Sequence, residues 1–463
     1  MLYKLHTNIF IVGFLAFGFI FAMTYQRSFI LMSVVPFVAF VTQMALLLHY
    51  SKDDHTDYSE HSLFYTVLIY TFLLSTFFML ISVYYDDDTF LFSKADAMFY
   101  YRESIQVTDL GLVENLKRIV NKFESDDWGS LMFDTFVLYI YPSKLLVNAI
   151  YTLLGVISSI FIYRMGKPFM PEKYAFLAAL AYSTSSYMGF FNSSFLKESL
   201  FVFLVVSTLY SQHKAIEEQS GRGLIGVAFF VFLIFFFRPA VSAFIVVSIF
   251  VYYGIVKRRH AISFFLFLGA AGGLVISLAL MQQLFDSYAK GGDLDVVIAE
   301  TNNGSYSSGF NYFVSFFGAF LGPFPSIFPK IAGPSYLEFL GAGLVYKLFM
   351  AFPFWIGVYY IVKNQQFGMF PFLLFVLIEM LLTGAVCASL ELRKVMLHVP
   401  FMYIVSFYGL YHIFTRFRTA IPAIFISFIF TVCVVFLWNV VKADNENLTS
   451  SISEQRIFRT FYC

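Results

Sequence analysis

A set of ionisable side chains lies at the edges of long apolar segments, and these are the residues whose types could do chemistry. Charge beside lipid is costly, so each invites a functional interpretation with a named partner. Carboxylates can accept a hydroxyl proton or bind a divalent cation, whereas Lys and Arg can bind phosphate oxygens. The candidates are the acidic Asp86, Asp87, Asp88 and Asp96, the cationic Arg102, Lys197, Arg238, Arg393 and Lys394, and the supporting Glu198, Glu391 and His398.

Arg238 gives the sharpest of these signals, because it precedes Pro239 between two strongly apolar runs. A role in binding phosphate or pyrophosphate is favoured there over snorkelling or a structural ion pair. Arg393 and Lys394 form a second cationic pair, for which phosphate binding and helix termination both stay open. The adjacent Lys and Glu at 197–198 could reach different neighbours, since adjacent residues point apart on a helix.

The acidic candidates leave alternatives open. Residues 86–88 could ligate a divalent cation through several carboxylate oxygens, or could end an apolar segment with solvated charge. Asp96 is flanked by aromatic residues, a setting that suits a general base, although an Asp there could equally cap a helix. No cofactor is assigned, and the single metal alternative is a divalent cation on Asp86, Asp87 and Asp88.

Composition predicts the elements that position these residues. The chain is 59% hydrophobic and 13% charged, whereas soluble domains carry about 25% charged residues. Apolar stretches of about 20 residues, the length needed to cross a bilayer as a helix, recur from end to end. We therefore expect an all-α, polytopic transmembrane helical bundle with about 12–14 spans. The net charge of +1 argues against a nucleic-acid partner.

The predicted spans divide the chain into six parts. These are N-terminal transmembrane helices (1–85), a long loop (86–143), a central bundle (144–282), a second long loop (283–340), C-terminal helices (341–441) and a polar tail (442–463). The spans are expected at 7–24, 29–49, 62–85, 144–163, 173–190, 198–211, 223–237, 240–256, 262–282, 341–362, 368–388, 395–414 and 419–441.

Basic loops predict the orientation of these spans, because Lys and Arg near a span resist translocation. Four such loops alternate consistently with the spans and are expected in the cytoplasm. All of the candidate site residues, and both long loops, then fall on the outer side. The loops contain Arg164, Lys167 and Lys173; Lys214 and Arg222; Lys257, Arg258 and Arg259; and Arg416 and Arg418.

Both long loops have internal pattern. Within 112–123, apolar residues recur at helical spacing and charged residues occupy the other face, which predicts an amphipathic helix in the membrane interface. The apolar part of 310–328 and the residues after it are interrupted by four prolines, which predicts a re-entrant or broken helix. No phosphate loop, His-Glu-x-x-His or Gly-x-Ser-x-Gly motif occurs in the sequence, so ATP-driven transport is not expected.

Several short elements carry a resemblance: Asp96, Ala97 and Tyr100, then Asp127–Trp128–Gly129, Lys197–Glu198 and Arg238–Pro239. They resemble bacterial polysaccharide polymerases of the O-antigen or capsule (Wzy-like) type and are similar to polyprenyl-phosphate-dependent glycosyltransferases of the GT-C fold. Those GT-C enzymes usually place their acidic residue after the first span, whereas the acidic loop here follows the third. That departure favours the polymerase interpretation, in which paired arginines matter more than a base.

The resemblance implies an enzyme at the outer face of the bacterial inner membrane, acting on glycans linked to undecaprenyl pyrophosphate. Arg238 with Arg393 or Lys394 would then stabilise the leaving pyrophosphate, and Asp96 or one of Asp86–Asp88 would accept the acceptor's proton. The lipid-linked oligosaccharide and the bilayer are the implied partners, and a chain-length regulator protein is one that such an enzyme could have.

The main alternative, a flippase or transporter of lipid-linked sugars, predicts charge through the membrane depth and repeat symmetry, and neither is evident in the sequence. A scaffold of a membrane assembly is the third alternative.

Overall fold

A computed structural model gives the architecture of residues 30–52, 57–86, 89–91, 94–123, 125–217, 221–252, 321, 337–385, 395–416, 422 and 425–434. Throughout these ranges the chain forms helices and short connections, without a strand. The all-α helical membrane protein expected from composition is therefore confirmed. The predicted span at 7–24, the span at 262–282 and nearly all of the second long loop lie outside these ranges.

The first two helices and the long loop have the following bounds: α1 Ile30–Ser51, α2 Glu60–Asp86, α3 Lys94–Ile105, α4 Val107–Leu110, α5 Leu112–Lys122 and α6 Ser125–Ile140. The central helices are α7 Lys144–Gly166, α8 Glu172–Ser183, α9 Ser186–Ser193, α10 Glu198–Glu217, α11 Gly221–Phe235 and α12 Pro239–Val251. The C-terminal helices are α13 Leu337–Lys363, α14 Phe370–Ala385 after a 3₁₀ turn at Phe367–Met369, α15 Val399–Arg416 and α16 Phe425–Val434.

Three described helices are long and apolar enough to cross a membrane: Glu60–Tyr85, Lys144–Gly166 and Phe339–Lys363. A fourth crossing is possible if α9 and α10, bent by 115° at their junction, form one broken span. Shorter apolar helices correspond to several other predicted spans, at Val35–Ser51, Gly221–Phe235, Phe367–Leu381, Val399–Thr415 and Phe425–Val434.

The predicted continuous span at 173–190 is wrong, because the helix stops at Ser183 and a new one starts at Ser186. Hydroxyl groups at the break bond to carbonyls of the preceding turn, Thr184 Oγ1 to Leu180 O at 2.7 Å and Ser185 Oγ to Tyr182 O at 2.6 Å. Such local side-chain bonds compete with the helix ladder and stabilise the interruption. The second piece then joins α10 through the sharp bend.

The antiparallel pair α2 and α7 defines two ends of the bundle. At one end, Arg164 forms an ion pair with Glu60 at 2.6 Å. At the other end, Lys144 Nζ donates to Thr89 Oγ1 at 2.7 Å and lies over the Phe90 ring. We call these the Arg164 end and the Lys144 end. Helices α3 to α6 connect α2 with α7 and therefore belong to the Lys144 end.

Helices α13 and α15 pack closely in the core. A Cβ atom at Gly357 would collide with the Val405 carbonyl, and one at Gly409 would collide with the Pro353 carbonyl. Small residues allow such close backbone approach, which is a main source of helix association in lipid. Nearby, Ser406 Oγ donates to Met350 O at 3.0 Å and reinforces the contact.

Candidate active site

A sharp bend at the Lys144 end presents Lys197 and Glu198 to the long loop. Phe195, in the bend between α9 and α10, has a φ of +60°, a left-handed conformation that costs a bulky L residue about 1–3 kcal/mol. Its ring is buried and meets Tyr101 of α3 edge-on, with ring centroids 5.4 Å apart. Packing against α3 thus holds the strained bend that carries the two charged residues.

Lys197, Asp127 and Tyr100 meet at one carboxylate oxygen, and we call these three residues the Lys197 cluster. Lys197 Nζ donates to Asp127 Oδ1 at 2.7 Å, and the Tyr100 hydroxyl donates to the same oxygen at 2.8 Å. The ammonium group also lies 5.4 Å from the centre of the Tyr100 ring. Within the ranges that the structure describes, no donor bonds to Asp127 Oδ2, so the cluster orients a carboxylate with one oxygen open.

Asp127 occupies the first turn of α6, and that turn is docked on the connection between α11 and α12. The Gly129 amide donates to Phe236 O at 2.8 Å. A Cβ atom at Gly129 would collide with the Phe237 ring, so only glycine allows this approach. Trp128 stacks on Phe236 and donates from Nε1 to Phe123 O at 2.8 Å. The docking brings Asp127 to the connection that carries Arg238.

Arg238 is the N-cap residue of α12 and is followed by Pro239 at the first helical position. Its guanidinium lies 5.4 Å from the ring centre of Phe201, in the first turn of α10, and Phe201 stacks on Phe237. In the part of the chain that the structure describes, no carboxylate pairs with Arg238. The half-buried guanidinium thus lies near the Phe201 ring, one helical turn along α10 from the Lys197–Glu198 pair, and guanidinium groups are well suited to bind an anion.

Tyr100 serves the cluster as a neutral donor. Burial raises the pKa of Tyr100 far above its usual value, and the negative charges of Asp127, Glu198 and Asp96 raise it further. The phenol therefore keeps its proton at physiological pH, which fixes the direction of its bond to Asp127. Asp96 lies one helical turn before Tyr100 on α3 and is half-buried.

A second carboxyl group, Asp134 of α6, is buried against α7. Tyr151 donates its hydroxyl proton to Asp134 Oδ1 at 2.6 Å. Burial raises the pKa of Asp134 from 3.8 to about 8, and the bond from Tyr151 opposes this only in part. Asp134 is therefore a carboxyl group that carries a proton at neutral pH.

The other predicted site residues fall in different settings. Arg102 is exposed on α3, with its guanidinium 3.8 Å from Glu103, and the described contacts do not bring it to the Lys197 cluster. Asp86 is the last residue of α2. Glu198 is buried at the start of α10, beside Lys197. Outside the described residues lie Asp87, Asp88, Glu391, Arg393 and Lys394.

His398 belongs to a different cluster, inside the helical bundle. Its Nδ1 is hydrogen-bonded to Glu379 Oε2, and both side chains are buried. Lys347 of α13 is fully buried within electrostatic range of Glu379. No described contact joins these residues to the Lys197 cluster, so His398 belongs to a separate buried polar cluster.

Sequence reasoning missed several of these residues. Lys347 and Glu379 lie inside predicted spans. Because an ionisable side chain inside a span is energetically costly, these two residues could have been identified from the sequence. Asp127 and Tyr100 belong to the short elements that carry the family resemblance, but they were not assigned to the site. Their neighbours in the sequence give no indication that they contact Lys197. Among the described residues, no group of three or more His, Cys, Asp or Glu side chains could hold a metal ion.

One comparison with known proteins gives a match. Residues 136–281, less than half of the chain, match the sequence model of the dolichyl-phosphate-mannose-protein mannosyltransferase family. No curated protein matches the chain significantly. The matched region contains Lys197, Glu198 and Arg238, whereas Tyr100 and Asp127 precede it. The match supports a membrane glycosyltransferase of the GT-C type that uses lipid-linked sugars.

Proposed function

We propose that this chain is a polysaccharide polymerase that joins glycan units linked to undecaprenyl pyrophosphate, at the outer face of the bacterial inner membrane. The observation that carries the proposal is the arrangement of Arg238 beside the Lys197 cluster. Arg238, which pairs with no carboxylate among the described residues, and the oriented carboxylate of Asp127 both lie at the Lys144 end, where α6 docks on the connection between α11 and α12. The glycosyltransferase family match adds support, because it covers Arg238 and Lys197.

Arg238 supplies the anion-binding part of the reaction. Negative charge grows on the pyrophosphate oxygens as the bond to the sugar breaks, and a preorganised guanidinium stabilises that charge. Arg238 is held in place by Phe201 and by the start of α12. Arg393 and Lys394 would act with it on the same leaving group.

A carboxylate supplies the acceptor part. The acceptor hydroxyl oxygen attacks the anomeric carbon, the bond from that carbon to the phosphate oxygen breaks, and lipid pyrophosphate leaves with the electron pair. The hydroxyl proton passes to a carboxylate, and two are candidates: Asp96, expected from the sequence, and Asp127, whose Oδ2 accepts no bond from the described residues. Lys197 and Tyr100 hold Asp127 in one orientation, as a base needs.

Surface glycans test the proposal in cells. We expect Arg238→Ala and Arg393→Ala each to shorten the ladder of glycan lengths on a gel when the variants reach normal membrane abundance. Arg222→Ala is the matched control, because this exposed arginine lies in the first turn of α11, on the side expected to be opposite. A long-chain ladder that is unchanged in both Arg238→Ala and Arg393→Ala refutes the pyrophosphate-binding role.

A flippase or transporter for lipid-linked sugars is the second candidate function, and one observation favours it. The buried Lys347, Glu379 and His398 are ionisable groups inside the helical bundle, which the interpretation of the sequence overlooked. Intramembrane ionisable residues often mark substrate or proton pathways. Loss of translocation of a fluorescent lipid-linked sugar in Lys347→Met, with glycosyl transfer unchanged, would favour the transporter.

A further inference from the structure

Helix α5 buries only part of its apolar surface against the protein. Ile119 and Asn115 are fully buried. Asn115 Nδ2 donates to Ser104 O at 3.3 Å and to Thr135 Oγ1 at 3.2 Å. This sector of the helix is therefore the one that packs on α3 and α6.

An ionic clamp fixes the rotation of α5 about its own axis. Arg118 Nη1 donates to Glu103 Oε2 at 2.6 Å, and Arg118 Nη2 donates to the Glu103 carbonyl at 2.6 Å. Lys122 Nζ adds a bond of 3.1 Å to the same carboxylate. Burial acts to raise the pKa of Glu103, but the bonds from Arg118 and Lys122 outweigh it and hold that pKa below its usual range. The clamp is thus charged at neutral pH, and α5 cannot turn its other faces inward.

The clamp leaves a second apolar sector uncovered. Val113 is 63% exposed and Val120 is 41% exposed, and Leu116 lies between them along the helix. At about 100° per residue, these three side chains fall within a sector of about 60°, centred roughly 90° around the helix from Ile119. Glu114 and Asn121 occupy the remaining, polar sector. The helix therefore has three faces: one on the protein, one apolar and open, and one polar.

The position of α5 in the chain shows what meets the open apolar face. The spans α2 and α7 both terminate at the Lys144 end, where Lys144 bonds to Thr89, and α5 lies between them in sequence. Exposed tyrosines mark the same boundary: Tyr84 near the end of α2, and Tyr139 and Tyr141 before α7. Tyrosine is enriched where spans leave the hydrocarbon core, so the bilayer surface passes through this level.

We propose that Val113, Leu116 and Val120 lie on the bilayer surface, with their side chains in the boundary between headgroups and acyl chains. Glu114 and Asn121 then face water. Because Glu103 fastens α5 to α3, and α3 carries Tyr100, this lipid contact sets the height of the Lys197 cluster above the bilayer. The inference concerns the membrane contact alone and does not depend on the proposed polymerase activity.

Spin labels on neighbouring residues test the contact in the full chain. In a background in which Cys387, Cys433 and Cys463 are replaced by Ser, single labels are placed through Val113→Cys, Val120→Cys and Glu114→Cys, and each protein is reconstituted in phospholipid nanodiscs. Val113 and Glu114 are adjacent and both exposed, so they form a matched pair. Leu73→Cys, on the exposed face of α2, supplies the lipid reference.

Power saturation then measures access of oxygen, which concentrates in lipid, and of a water-soluble nickel complex. We expect the ratio of oxygen to nickel access to be several-fold higher at positions 113 and 120 than at 114, and to approach the value at 73. Equal, water-like ratios at 113 and 114 would overturn the proposal. Protection of position 113 from both reagents would also overturn it, because a second copy or another protein would then cover the face.

Discussion

Lys197 Nζ and Asp127 Oδ1 lie 2.7 Å apart although their residues are 70 positions apart in the chain. The contact joins the bend between α9 and α10 to the first turn of α6. It therefore links the long loop to the central bundle, and it places a cation, a carboxylate and the Tyr100 phenol at one point.

Replacement of Lys197 tests whether this contact orients the site. Lys197→Ala leaves the Asp127 carboxylate without its charge-assisted bond, so we expect glycosyl transfer to fall roughly 10²-fold through misorientation. Lys197→Arg keeps the charge and should recover part of the rate. The measurement is transfer by purified protein at matched concentration. Lys117→Ala, which removes only an exposed ion pair with Glu114, should behave as the wild type; equal rates in Lys197→Ala would contradict the role.

Two Asn substitutions identify the base. A general base contributes about 10²–10⁴-fold, so its amide replacement should lower turnover by that factor with the fold intact. We expect Asp127→Asn to show the larger loss, because Lys197 and Tyr100 orient that carboxylate. Near wild-type turnover in Asp96→Asn removes Asp96 from the mechanism. A larger loss in Asp96→Asn than in Asp127→Asn would instead assign the base to Asp96.

Asp134 predicts a pH dependence of stability. Its pKa in the folded protein is raised to about 8, above the ordinary 3.8, so the folded state holds the proton more tightly than the unfolded state. The stability from this group is fully present below about pH 4 and is lost as the pH rises through 8. Asp134→Asn cannot titrate but can still accept the Tyr151 bond. We expect its apparent melting temperature to fall less between pH 5 and pH 8.5 than that of the wild type; parallel curves would contradict the assignment.

The clamp on α5 predicts a contrast between two glutamates. Glu103→Gln leaves Arg118 and Lys122 without their buried carboxylate, so we expect a loss of about 1.5–3 kcal/mol, seen as a lower apparent melting temperature. Glu114→Gln breaks only an exposed pair and should cost less than about 1 kcal/mol. Since the pKa of Glu103 is lowered in the folded protein, its contribution is present above the ordinary 4.5 and is lost as the pH falls through the lowered value. Equal effects of the two substitutions would show that Glu103 does not clamp the helix.

The sequence predicted the long spans well, because span length and apolar composition are local properties. Helices α2 and α7 match the predicted 62–85 and 144–163 within a few residues. The break at 184–185 was not predicted, since it depends on hydroxyl groups that bond to the backbone of the preceding turn. The meeting of Tyr100, Asp127 and Lys197 could not be predicted either, because tertiary packing alone brings them together across separations of 27 and 70 residues.

Glycosyl transfer by the purified chain in phospholipid vesicles tests the central claim most directly. The substrate is a glycan linked to undecaprenyl pyrophosphate, and mass spectrometry follows both the lengthened glycan and the released lipid pyrophosphate. We predict that the two products form together and in equal amounts, and that Arg238→Ala slows both. Movement of the lipid-linked glycan across the bilayer with no new glycosidic bond would contradict the account and identify a transporter.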